Sequence, residues 1–589
     1  MRNLERTQIL PEKELPDIND ILGEAEQLSQ SVTVGSCPFL TKYDVQSESD
    51  YKRQQTSERS IMLHGQIGYR SPTKTKLAYT KIYNHISTAG YRIDRYGICL
   101  DWSMGYPLNL RENMPRGTGL ILSKPESFID LTHSAPVAPH FGDFVIGTPA
   151  AVENTIAALK AGSTSIGNIG QYFTFRMPKW DDDVSTTVET IKALALCAAQ
   201  PVEVMIHSNL DDGFAALFCD MACSIGAVLI ERHIIEDLIG GQVSHCYGHT
   251  FSDPKKRLAF QRALYKVTKT PGSMIYGNTT IFVENEVENY ANLASYLLVD
   301  IIAQLKLPTG HGINPIPVTE AKRIPEIKEI IDAHLFANRL IHRSDGFQDL
   351  FDMKRVDRIT NQLVKAGKEF KKRVLDGLSK AGIDINDPFE LLLSIRRIGA
   401  KRLEELFGPG EPHEHMLRYR KPVVKVSTIA ELEEKSKKLL ALINPSDKAI
   451  LNEAQFKICV ACTDVHEYGK ILLVEVLKRL KIPIIDVGVS VDPNILAKRA
   501  KEADSDFIAV STYNGIALDY SQALCKEMAL IELDIPIFIG GKLNQIIDDD
   551  KTSIPIDVTQ QLKDLGVHVC HHIEDMLKIL IECAQEVNK

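Results

Sequence analysis

The feature that most constrains the fold is a repeated alternation of short apolar runs with longer helical segments. Between residues 61 and 397, β-prone runs such as 202–207, 227–230 and 273–277 alternate with segments of helical period such as 184–199. This alternation predicts parallel strands joined by helical crossovers. A TIM-type (β/α)8 barrel fits the length, because such barrels typically take about 250 residues before insertions. An open doubly wound sheet remains the alternative.

The last part of the chain predicts a second, smaller α/β domain. Five β-prone runs alternate with helical segments, at residues 457–461, 483–487, 507–511, 536–539 and 567–570. This pattern is typical of a doubly wound, flavodoxin-like domain, whose ligands lie outside the carboxyl ends of the strands. The loops that follow these runs are therefore expected to carry function.

Four regions follow from these patterns and from the breaks between them. We expect an N-terminal extension over residues 1–60, a barrel with a helical C-terminal part over 61–400, a linker over 401–445 and the second domain over 446–589. The linker begins near a Gly- and Pro-rich break at residues 407–412.

Composition narrows the class of protein. The net charge of −9, from 77 acidic and 68 basic residues, gives no basic footprint for nucleic acid. No apolar run reaches the length of a membrane span, and the polar start of the chain predicts no secretory signal. The 11 scattered cysteines argue against a disulfide framework, and Cys459 and Cys462 are expected to be buried structural thiols. We therefore expect a cytoplasmic protein.

The first loop of the second domain carries the motif Asp-x-His-x-x-Gly, formed by Asp464, His466 and Gly469. A histidine on an exposed loop suits metal ligation, and a nearby aspartate can accept one ring N–H and fix the tautomer. The glycine would let a bulky ligand approach the backbone. A loop histidine beside an N-capping aspartate is the plainer interpretation of the motif alone.

Two further loops complete a pattern. Ser511 follows the third predicted strand, and Gly540 and Gly541 follow the fourth. Together with Asp-x-His-x-x-Gly, they resemble the cobalamin-binding domain of corrinoid mutases and methionine synthase. The resemblance implies that His466 is the lower axial ligand of cobalt and that Asp464 is its hydrogen-bonding partner. It also implies that Ser511, Gly540 and Gly541 accommodate the nucleotide tail of the cofactor.

The barrel region contains arginines flanked by aromatic residues, at Arg70, Arg92 and Arg176. Such arginines suit bidentate recognition of a carboxylate in a partly dry pocket, although each alone could form an ordinary surface ion pair. His249 could polarise a carbonyl or carboxylate near the barrel mouth, and a satisfied core histidine is the equal alternative.

This region resembles the barrel-forming component of glutamate mutase (methylaspartate mutase). The similarity lies in residues 91–96, 147–149, 161–165, 234–236 and 247–249. It implies that Arg92, and with it Arg70, belongs to a carboxylate-binding cluster.

The two resemblances imply an adenosylcobalamin-dependent radical carbon-skeleton mutase with barrel and cofactor domain on one chain. Its partners would be a small dicarboxylate and further copies of itself, as a homodimer or homotetramer, with no nucleic acid and no membrane. A corrinoid methyl carrier or methyltransferase is the rival enzyme class. A cobalamin-binding sensor or storage protein is the rival outside enzymes.

The substrate is predicted from what differs from glutamate mutase. That family places a glutamate, which holds the substrate ammonium, at the position matching Gly167, and no carboxylate lies between Glu153 and Asp181. A third family arginine is replaced by the segment that begins at Phe144. An unpaired ammonium in a dry site is costly, so we expect a dicarboxylic acid without an amine. 2-Methyleneglutarate, rearranged to methylitaconate, fits best, and glutamate is the alternative.

Overall fold

The computed structural model describes residues 4–587, apart from single positions and one segment. The gaps are residues 115, 212, 280, 284, 321, 415, 417, 465, 466, 514 and 546–555. The chain divides into two compact units. The first contains Met1–Thr174 and Asp181–Ser427, and the second contains Phe175–Trp180 and Thr428–Lys589.

The first unit is built on an eight-stranded sheet in which every strand pairs in parallel with its neighbours, in the order β6-β5-β4-β3-β2-β1-β8-β7. Its strands are β1 Met62–Ile67, β2 Arg95–Ile98, β3 Ala138–Phe141, β4 Ser165–Gly167, β5 Met205–Asn209, β6 Gln242–Cys246, β7 Met274–Ile275 and β8 Gly312–Ile313. A parallel bridge between Tyr247 and Ile275 joins the two outermost strands. The sheet is therefore a nearly closed barrel, as the alternating pattern predicts.

Helices surround the strands of the first unit. They are α1 Arg6–Ile9, α2 Ile18–Ser29, α3 Pro38–Tyr43, α4 Glu48–Ser57, α5 Pro72–Thr88, α6 Leu108–Arg111, α7 Pro125–Thr132, α8 Ala151–Lys160, α9 Ile169–Thr174, α10 Asp183–Ala198, α11 Met221–Arg232, α12 Pro254–Val267, α13 Glu286–Lys306, α14 Ile327–Ile341, α15 Met353–Lys380 and α16 Pro388–Phe407. A π-helix, His233–Ile239, continues α11. The β-prone run 227–230 lies inside α11, so its prediction as a strand is wrong. Four apolar residues do not distinguish a strand from a buried helix turn.

The residues between β1 and α5 determine where the helix after the first strand begins. Ser71 caps α5 by accepting a hydrogen bond from the Lys74 backbone N–H, and Pro72 occupies the first helical turn. A serine followed by proline is a strong helix start. This start holds Arg70 at the carboxyl end of β1, immediately before the helix.

The N-terminal segment contributes directly to the barrel. Lys52 of α4 is 1% exposed, and its ammonium donates to the carbonyls of Ser273 and Gly310, which lie just before β7 and β8. Helix α4 therefore covers the amino ends of these strands.

The second unit contains a five-stranded parallel sheet in the order β10-β9-β11-β12-β15. The five strands of this sheet are β9 Ile458–Cys462, β10 Ile484–Gly488, β11 Phe507–Thr512, β12 Ile537–Gly541 and β15 His568–Cys570. A separate antiparallel pair is formed by β13 Asn544–Gln545 and β14 Ile556–Asp557. Its helices are α17 Ser427–Leu442, α18 Pro445–Ala454, α19 Tyr468–Arg479, α20 Pro493–Glu502, α21 Ala517–Leu530, α22 Thr559–Asp564 and α23 Ile573–Val587. This order is that of flavodoxin-like domains.

The core of the second unit forms where one sheet face meets its helices. Ile508, Val510 and Ile539 from the strands pack with Leu496 and Leu524 from the helices, all nearly or fully buried. Both faces of a parallel sheet are covered in this way, which explains the continuous apolar runs of these strands. In the part of the chain that the structure describes, no helix combines the length and apolar character needed to cross a membrane.

Candidate functional site

The strand order of the second unit reverses between β9 and β11, and ligands of such sheets bind at this point. Asp464 lies just beyond β9 and is 5% exposed. One oxygen of its carboxylate accepts hydrogen bonds from the Tyr513 backbone N–H at 2.9 Å and from the Thr463 hydroxyl at 3.0 Å. The Thr463 N–H in turn donates to the Ser511 carbonyl at 3.0 Å. The loops after β9 and β11 therefore hold the Asp464 carboxylate in one orientation.

Gly469 and Ser511 face each other across this point. Gly469 is in the first turn of α19, and a Cβ at its position would lie 3.0 Å from the Ser511 hydroxyl oxygen. A side chain there would press on Ser511. The glycine therefore lets the first turn of α19 lie close to the Ser511 hydroxyl.

Gly540 and Gly541 end β12, so they are strand residues at the carboxyl edge rather than loop residues. Gly541 has a φ of +106°, and a Cβ there would lie 2.2 Å from the Thr512 carbonyl oxygen. Only glycine adopts this conformation without strain. The Lys542 N–H also donates to the Thr512 carbonyl, at 2.8 Å. The backbones of β11 and β12 thus approach each other closely at the predicted ligand edge.

Lys470 is a buried cation at the same edge, and sequence reasoning missed it. Its side chain is 1% exposed and forms ion pairs of 2.6 Å with both Glu467 and Asp486. Burial opposes the charge on Lys470, but the carboxylates of Glu467 and Asp486 outweigh it and raise the pKa of the ammonium. Lys470 also donates to the Gly488 carbonyl at 3.1 Å. It therefore ties the loop after β9 to the end of β10.

Two buried polar side-chain atoms at this edge have no hydrogen-bond partner among the described residues. They are the hydroxyl oxygen of Ser490 and the side-chain carbonyl oxygen of Asn544. They follow β10 and β12 at the carboxyl side. Buried polar atoms in native proteins are nearly always paired, so these two fit contact with a polar ligand. Both atoms lie on the side of the sheet where ligands of such domains bind.

The predicted cobalt ligand, His466, lies outside the described residues, and its role stays a prediction. Asp464, Gly469, Ser511, Gly540 and Gly541 are all described, at the carboxyl ends of three adjacent strands. Cys459 and Cys462 are fully or almost fully buried in β9, and burial raises the pKa of both thiols. Such thiols are structural, as the sequence predicts.

In the first unit, Arg70 and His249 are placed at the carboxyl ends of barrel strands, where barrel enzymes carry their active sites. Arg70 follows β1 and is half-buried. His249 follows β6, packs edge-on against Tyr276 with 5.4 Å between ring centroids, and has Nδ1 3.4 Å from the Thr279 hydroxyl. Their catalytic roles stay predictions.

Arg92 does not share this position. It precedes β2 and therefore lies at the amino end of that strand, away from the barrel mouth. Its guanidinium pairs with Asp94 at 2.6 Å and lines a surface pocket of about 440 Å³ with Lys42 and His342. This location argues against Arg92 as a carboxylate ligand at the mouth. The predicted Arg176 belongs to the segment Phe175–Trp180, which groups with the second unit.

The barrel interior holds polar side chains that sequence reasoning also missed. Arg95, three residues after Arg92, is 2% exposed and points into the barrel, where it contacts His64, Ser165 and Ser273. His140 and His207 lie in the same interior, with ring centroids 4.4 Å apart. The strands that carry most of these side chains, β1 to β5, are only three to six residues long. An alternation of inward-facing and outward-facing residues is hard to recognise in such short segments.

Comparison with known proteins adds little to this picture. No model of a protein family matches the chain. One solved structure that resembles part of it is a 1.5 Å crystal structure of a novel cobalamin-binding protein from Desulfitobacterium hafniense DCB-2. It is 18% identical over 26% of this chain and 77% of that chain, with a TM-score of 0.18. A similarity this low supports no conclusion about this chain, so function is inferred from the residues themselves.

Proposed function

We propose that this protein is an adenosylcobalamin-dependent carbon-skeleton mutase that rearranges a small dicarboxylic acid, with 2-methyleneglutarate as the preferred substrate. The observation that carries the proposal is the arrangement at the switch point of the second unit. There a fixed carboxylate, a glycine–serine contact and a pair of strand-end glycines meet at one edge. This is the arrangement that the resemblance to cobalamin-binding domains leads one to expect.

Adenosylcobalamin, when bound, supplies the radical chemistry that amino-acid side chains lack. The chain's own residues would bind and orient it. One ring nitrogen of His466 would ligate the cobalt. Asp464, already fixed by Tyr513 and Thr463, would accept a hydrogen bond from the N–H of the other ring nitrogen. Ser511 would donate to the nucleotide tail, Gly469 would let the cofactor approach the backbone, and the resemblance assigns Gly540 and Gly541 to the same tail.

The barrel would bind the substrate at the carboxyl ends of its strands. Arg70 would contact a substrate carboxylate, and His249 would hydrogen-bond a carbonyl or carboxylate oxygen. The preference against an amino acid has support at Gly167, where a Cβ would lie 2.8 Å from the His207 side chain. That position has no room for a glutamate to hold an ammonium group.

The test is a side-by-side assay of 2-methyleneglutarate and glutamate with added adenosylcobalamin. We expect conversion of 2-methyleneglutarate and none of glutamate. Turnover of glutamate alone would contradict 2-methyleneglutarate as the substrate. Turnover of neither acid would contradict the proposed mutase activity.

A matched pair of variants tests the barrel site in the same assay. Arg70→Met should raise KM about tenfold or more, because a charge-assisted hydrogen bond contributes about 1.5–3 kcal/mol. Arg358→Met, on the exposed side of α15, should leave KM unchanged. An equal effect of both substitutions would remove Arg70 from the proposal.

A further inference from the structure

One lysine joins three parts of the ligand edge in the second unit. The ammonium of Lys470 pairs with Glu467 and with Asp486, both at 2.6 Å. It also donates to the Gly488 carbonyl at 3.1 Å, so all three of its N–H groups have an acceptor. The side chain of Lys470 is 1% exposed, and solvent and salt therefore screen these contacts little.

Glu467 is the residue that follows His466, and both its backbone and its side chain are held. Its backbone is the N-cap of α19, where its carbonyl accepts the Ile471 N–H at 2.8 Å. Its carboxylate is 5% exposed and pairs with Lys470. Because Glu467 is covalently joined to His466, the contact with Lys470 anchors the chain on the C-terminal side of the histidine.

Asp464, two residues before His466, is a second anchor. Its carboxylate accepts hydrogen bonds from Tyr513 and Thr463. Its backbone carbonyl accepts the Ser490 N–H at 3.3 Å. The motif that carries His466 is therefore tied to neighbouring elements on both sides.

The loop after β10 contacts both anchors. Gly488 in this loop binds Lys470, and Ser490 binds Asp464. Ser490 has a φ of +48°, in the left-handed region that non-glycine residues rarely adopt. Such a conformation persists only where surrounding contacts maintain it. Lys470 is one of these contacts, so it acts on both sides of His466, directly at Glu467 and through the loop 488–490 at Asp464.

The ion pair adds geometry more than stability. Well-packed apolar or neutral side chains of similar volume are often as stable as a buried ion pair. What Lys470 and Glu467 add is a fixed distance, because neither charge can move away from the other without remaining buried and unpaired. A fixed distance has value where an adjacent residue must meet a ligand in one orientation.

We propose that Lys470 is a positioning residue for the cobalt ligand, which holds the motif around His466 in the orientation that binds the metal. The identity of the ligand as cobalt rests on the proposed function, whereas the contacts of Lys470 are a property of the chain itself.

The double variant Lys470→Met/Glu467→Gln separates position from stability. It removes the ion pair but leaves no unpaired buried charge, so its melting temperature should stay close to that of wild type. The full-length protein is titrated with adenosylcobalamin well below both melting temperatures, and the absorption spectrum is recorded. We expect binding about tenfold weaker than in wild type, the lower end of the range for groups that orient a metal ligand. At saturation, a smaller fraction of the bound cofactor should have histidine on cobalt.

Two control variants make this result specific to the Lys470–Glu467 pair. Lys478→Met, at an exposed position of α19, should keep the affinity and the spectrum of wild type. Asp486→Asn should do the same, because asparagine keeps an oxygen acceptor for Lys470 and for the Gly488 N–H.

Three outcomes would overturn the positioning role and leave the proposed function intact. The first is wild-type affinity and spectrum in the double variant. The second is an equal loss of binding in Lys478→Met. The third is a double variant that melts as low as Lys470→Met, since its weaker binding would then follow from lost stability. A wild-type protein that binds no corrinoid would overturn both this inference and the proposed function.

Discussion

Replacing Lys470 by methionine tests how the ligand edge of the second unit is held together. Lys470 bridges Glu467, whose side chain is 5% exposed, and Asp486, whose side chain is 39% exposed. The substitution keeps the length of the side chain but leaves the Glu467 carboxylate buried without its cation. Asp486 adds little to the loss, because solvent screens a partly exposed carboxylate.

The expected cost is about 3 kcal/mol, the lower range for removing one partner of a buried ion pair. For a unit of this size, that loss lowers the melting temperature of the second unit by about 6–12 °C. Differential scanning calorimetry of the full chain measures the shift, and hydrogen exchange of β9–β12 peptides assigns the transition.

Two comparisons make the result specific. Lys478→Met, at an exposed position on the same helix, should change the melting temperature by no more than about 1–2 °C. Adding Glu467→Gln to Lys470→Met should recover most of the loss, because the double variant no longer buries an unpaired charge. Equal losses for Lys470→Met and Lys478→Met, or no recovery in the double variant, would refute the reasoning.

Two further predictions concern backbone strain and pH. Gly541→Ala should destabilise the second unit by at least about 1 kcal/mol more than Gly566→Ala in urea unfolding. Both glycines have positive φ, but only at Gly541 does a Cβ meet the Thr512 carbonyl; equal losses would contradict the contact. Burial raises the pKa of Glu404 from 4.5 to about 7, so the folded state holds its proton more tightly than the unfolded state. As pH rises from 4.5 to 7, wild type should therefore lose up to about 3 kcal/mol of unfolding free energy relative to Glu404→Gln, and a constant difference would contradict the shift.

The architecture could be predicted from the sequence because the spacing of apolar residues along the chain distinguishes helices from strands. The strands of the second unit match the predicted runs within a few residues, for example β11 at Phe507–Thr512 against residues 507–511. The exception at residues 227–230 shows the limit, since an apolar run inside a long buried helix has no visible period.

The site was only partly predictable, because sequence motifs identify residues at strand ends and in loops. They do not show which strand side chains point into the barrel. Asp464, Ser511 and Gly541 stand at strand ends, as their motif predicts. Arg92 and Arg95 are only three residues apart, but one precedes β2 and the other begins it. A strand of four residues does not reveal its first residue from sequence, so the inward-facing arginine was missed. The homo-oligomer and the cytoplasmic location stay predictions.

The measurement that tests the central claim most directly is the absorption spectrum of adenosylcobalamin titrated with the purified protein. Wild type should bind the cofactor with its dimethylbenzimidazole displaced and a histidine ligated to cobalt. His466→Ala should lose this spectrum while keeping the fold, and His571→Ala, at an exposed histidine of the same unit, should retain it. Asp464→Asn should weaken binding about 10- to 100-fold, as for other carboxylates that orient a ligating histidine. A wild-type protein that binds no corrinoid, or a His466→Ala protein with the wild-type spectrum, would contradict the account.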